Sequence, residues 1–367
     1  MADRQRIISA DSHVTIPRDK ILEHLPSRLH QPLAEAEAAY GARMLKAKPQ
    51  KVKQQEALSS PLPNMGAGAP WPAAGRPGGT DPVERLKDMD IDGVEAEILY
   101  IGSGGASYYD LGADHIEAFR ASNSAAIEWA SLDPKRLMPV YLLPIVDVAV
   151  AVKEVERIAA EHGKAVQLPL VPREVGAPPY WDPSYDPLWD ILSATGIPIS
   201  QHVGSNEYLN TIMAEDQTPF KGIFQSLPPM FMSECVADWT VSGVLERWPN
   251  LKIVLVESGI GWLPYYLERL DTMVTNHGWN TFADNPLKEK PSFYWHRNMA
   301  ATFEQDLIGV RNRYEIGVEN LMWATDYPHP DSTWPNSQAV LREHFEGVPA
   351  DEVELIAAGN AARIYNL

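Results

Sequence analysis

Short apolar runs recur along the chain, separated by stretches with helical periodicity. The runs are "RIISA" (6–10), "EAEILYIG" (95–102), "LMPVYLLPI" (137–145), "AVQLPLV" (165–171), "IPISQHVG" (197–204), "KIVLVESG" (252–259), "NMAATF" (298–303) and "NLMWATD" (320–326). Each is too short for a helix and rich in Ile, Val and Leu, as strands of a buried parallel sheet are. The intervening amphipathic stretches are residues 81–93, 115–134, 148–163, 184–196, 237–250 and 264–274. Several open on Asp or Ser and close on Gly or Pro, as helix boundaries should. Strict alternation predicts a parallel sheet with right-handed crossovers, and eight units predict closure into a (β/α)₈ TIM barrel of the α/β class. An open doubly wound sheet is the alternative. It lacks support, because no Gly-rich phosphate loop follows the first strand, and no nucleotide cofactor is expected.

Residues 24–80 break the repeat. The segment is rich in Ala, Pro, Gly and Gln, including "SSPLPNMGAGAPWPAAGRPGG" (59–79), and reads as a long β1–α1 insertion. A lid over the barrel or a dimer arm is expected of so long a segment, and with it a homodimer. The chain has 367 residues. Barrels of this kind reach that length as one unit, so residues 1–367 are read as a single domain.

Composition then narrows the function. Hydrophobic residues make up 45% and charged residues 22%, ordinary for a soluble globular protein. A net charge of −18 with no Lys/Arg stripe argues against nucleic acid or an anionic membrane as partner. The basic run "KAKPQKVKQ" (46–54) is too short and isolated to change that. Cys235 is the only cysteine, so a metal would have to be held by His and carboxylates. The N-terminus has no apolar signal-peptide core, and no window approaches eighteen uninterrupted apolar residues, so a cytoplasmic location is expected.

In a barrel, chemistry gathers at the C-terminal strand ends. Strand one delivers Asp11 and His13 there, strand five His202, strand six Glu257, and strand eight Asp326 with His329 close by. Asp11 and His13 are two residues apart, which in extended backbone puts both side chains on one face. Each residue also has a plain explanation. Asp11 could cap a turn, His202 could be a satisfied core histidine, Glu257 a buried salt-bridge partner, Asp326 a turn former before Pro328, and His329 a surface residue. The common placement at one end of different strands favours a first shell for a divalent Zn, Mn or Fe ion.

Six stretches together resemble the amidohydrolase-2 branch of the amidohydrolase superfamily: "ISADSHV", "DPVERLKDMDIDGVEAEILY", "YDPLWDILSATGIPISQHVG", "GVLERWPNLKIVLVESGIGWLPYYLERLD", "WATDYPH" and "GNAARIYNL". That branch includes aminocarboxymuconate-semialdehyde, resorcylate and carboxyvanillate decarboxylases. The resemblance implies a (β/α)₈ barrel with its metal on Asp11, His13, His202 and Asp326. Three departures bear on the reaction. The strand-one pair is Asp-x-His instead of His-x-His or Glu-x-His, Glu257 stands where most members carry a His, and no Lys ends strand four.

The resemblance therefore implies a metal-dependent hydrolase or non-oxidative decarboxylase of a carboxylated, aromatic or cyclic small molecule. Glu257 is the acid/base candidate, and His329 is a second catalytic candidate near the substrate. Trp262, Trp334 and Tyr327 are expected to contact the substrate, and Trp71, Trp181 and Trp323 also fall in or beside loops or strand ends. Two other classes use the same residues differently. A non-haem iron, possibly di-iron, monooxygenase fits the donor set, and a non-catalytic binding protein would need no metal.

Overall fold

The computed structural model describes residues 4–47, 72–73, 75–102, 105–204, 226–281 and 287–367, apart from the side chains of 43–47 and 277–281. Eight parallel strands lie in chain order: β1 (Ile8–Val14), β2 (Ala96–Ile101), β3 (Leu137–Leu142), β4 (Ala165–Gln167), β5 (Ile199–His202), β6 (Ile253–Val256), β7 (Met299–Phe303) and β8 (Leu321–Trp323). Backbone bonds from His13 N to the Tyr327 carbonyl (2.6 Å) and from Asp326 N to the Asp11 carbonyl (3.0 Å) join the first strand to the chain leaving the last. The expected TIM barrel is thus the fold.

Helices fill the crossovers. After β1 come α1 (Arg18–His24) and α2 (His30–Ala47); α3 (Pro82–Asp92), α4 (His115–Ala130), α5 (Val148–Ala160) and α6 (Asp186–Thr195) lead into β2 to β5 in turn. Before β6 stand α7 (Pro228–Val241) and α8 (Val244–Arg247), before β7 α9 (Leu263–Thr281) and α10 (Pro291–Asn298), and before β8 α11 (Leu307–Arg311) and α12 (Arg313–Ile316). The chain closes with α13 (Ser337–His344), α14 (Ala350–Glu354), a π turn (Leu355–Gly359) and α15 (Asn360–Ile364). No helix among the described residues is long and apolar enough to cross a membrane.

Alternation along the strands builds two apolar layers. Ile8, Ala10, Ala96, Ile98, Tyr100, Val254 and Met322 pack together with Ala361, Ile364 and Tyr365 of the C-terminal segment. Intervening residues such as Leu99, Ile101 and Leu255 pack against the surrounding helices.

The elements differ from the sequence reading most at three places. β1 runs on through Asp11 and His13 to Val14, because Ser12, His13 and Val14 continue the ladder with Leu99, Tyr100 and Ile101. A register shift between Ser9 and Ser12 places one extra residue beside Asp11, the kind of bulge that re-aims side chains near sites. The helix expected over 237–250 begins nine residues earlier and breaks at Gly243, whose φ of 79° ends one helix and starts another. Within the expected insertion, α2 is helical and buries Leu33 and Ala36. Residues 48–71 and 74, including Trp71, lie outside the described residues.

Candidate metal centre

Asp11 and His13 come from β1, His202 ends β5, and Glu257 and Asp326 follow β6 and β8. The structure brings all five together with His329. His13 Nε2 lies 3.2 Å from His202 Nε2, 3.2 Å from Asp326 Oδ1 and 3.5 Å from Asp11 Oδ1. His202 Nε2 is also 3.5 Å from Asp11 Oδ1. Asp11 is fully buried, yet neither of its carboxylate oxygens has a hydrogen-bond partner among the described residues, and Asp326 Oδ2 is equally unsatisfied. Buried carboxylate oxygens that face imidazole nitrogens at 3.2–3.5 Å without a formed hydrogen bond fit a bound cation. Both Asp11–His13–His202–Glu257 and His13–Asp326–His329 are close enough to share an ion.

Local backbone aims these groups. Glu257 and Asp326 are non-glycine residues with φ of 55° and 52°, in the left-handed region that costs about 1–2 kcal/mol. Such strain persists where the surrounding structure enforces it, which is typical of sites. The His202 Nδ1 donates to the Val203 carbonyl, so the proton sits on Nδ1 and leaves Nε2 free to ligate. His329 Nδ1 bonds Asp326 Oδ1 at 3.0 Å, and its ring lies 3.8 Å from that of His13, centroid to centroid.

Beneath the ligands lies a polar support. Arg85 is fully buried, gives Nε to Glu97 at 2.5 Å, and gives Nη1 to the carbonyls of His13 (2.8 Å) and Gly78 (3.2 Å). Ser9 Oγ reaches Thr325 Oγ1 and Ser12 Oγ, and accepts from Thr325 N, stitching β1 to the segment that carries Asp326.

The cluster is electrostatically divided. Burial pushes the His13 pKa well below its ordinary value, with His202 and His329 adding to the effect and Asp11 opposing it. Burial also works against a charged His202, but Asp11, Glu257 and the Val203 carbonyl outweigh it and raise its pKa to about 9. Burial drives Glu257 up to about 8, helped by Asp326 and Asp11 and opposed by His202.

The expected aromatic contacts are placed differently from one another. Tyr327 and Trp334 are buried; Tyr327 Oη donates to Asp88 at 2.5 Å, and Trp334 Nε1 donates to the Asp88 carbonyl at 3.0 Å. Arg76 pairs with the Asp88 carboxylate and covers the Trp334 ring. Trp262 follows Glu257 on the same loop, half-buried, with Nε1 bonded to the Ser258 carbonyl. Trp323 is fully buried and Trp181 is exposed.

Two polar side chains escape the sequence reading. Glu304 directly follows β7, and its buried Oε1 has no partner among the described residues. Burial raises its pKa well above the usual range, and Asp11, Asp326 and Glu257 add to the shift. The strand-end rule that selects Glu257 would have selected it too. Tyr100, inside β2, sets its ring 4.8 Å from His202 and donates to Ser200 Oγ at 3.0 Å; an apolar-looking strand interior gives no hint of this.

The family model described as amidohydrolase matches residues 11–367. The chain belongs to the amidohydrolase family. It is 26% identical over 300 residues to a gamma-resorcylate decarboxylase of Polaromonas sp. strain JS666, covering 77% of this chain and 86% of the relative. The crystal structure of 5-carboxyvanillate decarboxylase from Sphingomonas paucimobilis superposes with a TM-score of 0.66 at 25% identity, covering 99% of both chains. A carboxyvanillate decarboxylase of Novosphingobium aromaticivorans, complexed with manganese and 4-hydroxy-3-methoxy-5-nitrobenzoic acid, shares the fold at 16% identity, TM-score 0.71, covering 99% of this chain and 96% of that one. This member of the amidohydrolase family is a metal-dependent enzyme, and neither family nor relatives support the oxygenase alternative.

Proposed function

We propose that the protein is a non-oxidative decarboxylase of a hydroxylated aromatic carboxylate. The observation that carries this reading is the set of unpartnered buried oxygens of Asp11 and Asp326 facing the Nε2 atoms of His13 and His202, in a chain related to aromatic decarboxylases. Those four residues would hold the ion. Carboxylate and imidazole donors in equal number suit manganese, the ion bound in the Novosphingobium enzyme, and manganese is the proposed metal. When bound, a divalent cation supplies Lewis acidity toward a carboxylate and a neighbouring hydroxyl.

The chain's own groups move the proton. Glu257, whose burial favours the protonated carboxyl, delivers its proton to the ring carbon that bears the carboxylate. The bond to the carboxylate carbon then breaks, its electron pair restores the aromatic ring, and CO₂ leaves. His329, oriented by Asp326, binds the substrate hydroxyl from the wall of the cleft. Hydrolysis could use the same donors, but the relatives' named reactions favour carbon–carbon cleavage.

The test is turnover of hydroxybenzoates, including 2,6-dihydroxybenzoate and 5-carboxyvanillate, by manganese-loaded enzyme in D₂O. Release of CO₂ with one deuterium at the vacated ring carbon is expected. Fully loaded enzyme that releases no CO₂ from any hydroxybenzoate would reject the reading.

A further inference from the structure

A cleft of about 650 Å³ opens above β1 and β2, with His13 and His329 in its wall. Its volume lies within the range of clefts that bury drug-sized molecules and exceeds what a single-ring acid needs. Val14, Ile16, Ile21, Ile101 and Tyr108 supply apolar walls. Arg18, Glu37 and Tyr40 also line it, the last two from α2 within the segment that breaks the barrel repeat.

The ligand end and the α2 end differ in character. His13 is nearly buried, whereas the Arg18 and Glu37 side chains are 46% and 35% exposed, which makes theirs the open end. Arg18 Nε donates to Glu37 Oε2 at 3.0 Å, and Glu37 is its one ion-pair partner among the described residues. That bond uses one edge of the guanidinium fork, whose planar geometry offers further donors beyond it. Because Glu37 neutralises Arg18, the pair presents adjacent donor and acceptor atoms without net charge. An added carboxylate would meet the guanidinium and the repelling Glu37 together.

We propose that Arg18 and Glu37 form a distal subsite for an uncharged group that both donates and accepts hydrogen bonds, such as a phenolic hydroxyl, on a substrate longer than one ring. Placing the other end of that substrate at His13 and His329 rests on the decarboxylase reading; the subsite itself does not.

The test measures binding to manganese-loaded enzyme by calorimetry. The probes are salicylates extended opposite the carboxylate by phenyl, 4-hydroxyphenyl or 4-carboxyphenyl, together with the matching phenols that lack the salicylate carboxylate. The hydroxyphenyl probe is expected to bind about tenfold tighter than the phenyl probe, the usual worth of a hydrogen bond to a charged group. Arg18→Gln should erase that advantage, and Glu37→Gln should move the preference to the carboxyphenyl probe. Equal binding of phenyl and hydroxyphenyl probes, or an advantage that survives Arg18→Gln, would overturn the subsite. The two readings separate cleanly: CO₂ release reports on the decarboxylase, while the order among the phenols reports on Arg18 and Glu37 alone.

Discussion

The Nε2 atoms of His13 and His202 lie 3.2 Å apart. With both rings neutral and protonated on Nδ1, two lone pairs would face each other, so either a proton or a cation must sit between them. Without metal the proton belongs to His202, whose pKa is raised to about 9, and not to His13, whose pKa is lowered. Metal must displace that proton. Apparent metal affinity should therefore fall about tenfold per unit as pH drops below 9, with about one proton released per ion bound. Metal-buffered titrations between pH 6 and 9 check this; a flat profile would contradict it.

Ligand removal gives a second check. Replacing His202 or Asp326 by Ala should strip the metal while leaving the barrel folded, because both groups stand at C-terminal strand ends, the end of a barrel that carries sites more than stability. Elemental analysis and thermal unfolding of the metal-free variants would show this. A variant that retains one ion per chain would remove that residue from the ligand set.

Arg85 is expected to matter twice. Its guanidinium is buried against Glu97 and bonds the His13 carbonyl. Arg85→Met would leave the Glu97 carboxylate buried without its cation, at a cost of about 3–5 kcal/mol in urea unfolding. It would also release the backbone of His13, so metal affinity should weaken in the same variant. Unchanged metal affinity in a destabilised protein would limit Arg85 to stability.

How much of this was legible in the chain depends on what each feature is made of. The eight strands were visible because strands buried on both faces must be apolar throughout, and the ligands were visible because charged groups end those runs. The start of α7 is not legible: "PPMFMSECV" is apolar nearly all round and shows little amphipathic contrast. Tyr327 and Trp334 read as loop aromatics, but their partner Asp88 lies more than two hundred residues away in α3, a pairing no local pattern reveals. Glu304 is legible by the rule that selects Glu257, since it directly follows the apolar run that ends at Phe303.

Asp92 provides a pH test remote from the ligands. Burial raises its pKa to about 6 although Ser337 donates to it from both backbone and side chain. The unfolded value is near 3.8. The folded state therefore binds the extra proton between these values, and stability present at the lower pH is lost as pH rises through 6. The shift corresponds to about 3 kcal/mol. Asp92→Asn retains an acceptor for the Ser337 amide and carries no charge, so it should flatten the pH dependence between 4 and 6 and raise stability at pH 7. Urea titrations at intervals across that range would show a slope unchanged from the parent if Asp92 were not responsible.

Glu257 distinguishes the two ways of reading the centre. Its Oε2 lies 3.7 Å from His202 Nδ1, on the edge of the ring opposite the Nε2 that faces His13 and Asp11. That position suits a proton donor beside the ion, although Glu257 is also close enough to be a ligand with Asp11, His13 and His202. Glu257→Gln keeps the size and removes the titratable proton. As the acid, it should retain one metal per chain and lose about two to four orders of magnitude in turnover. The parent enzyme should lose kcat/KM as pH rises through about 8, where the carboxyl ionises, shifted lower to the extent that bound metal favours the carboxylate. The Gln variant should lack that alkaline limb. If it instead loses metal in step with activity, Glu257 is a ligand, and the proton must come from another group, for which His329, in the cleft wall and bonded to Asp326, is the candidate.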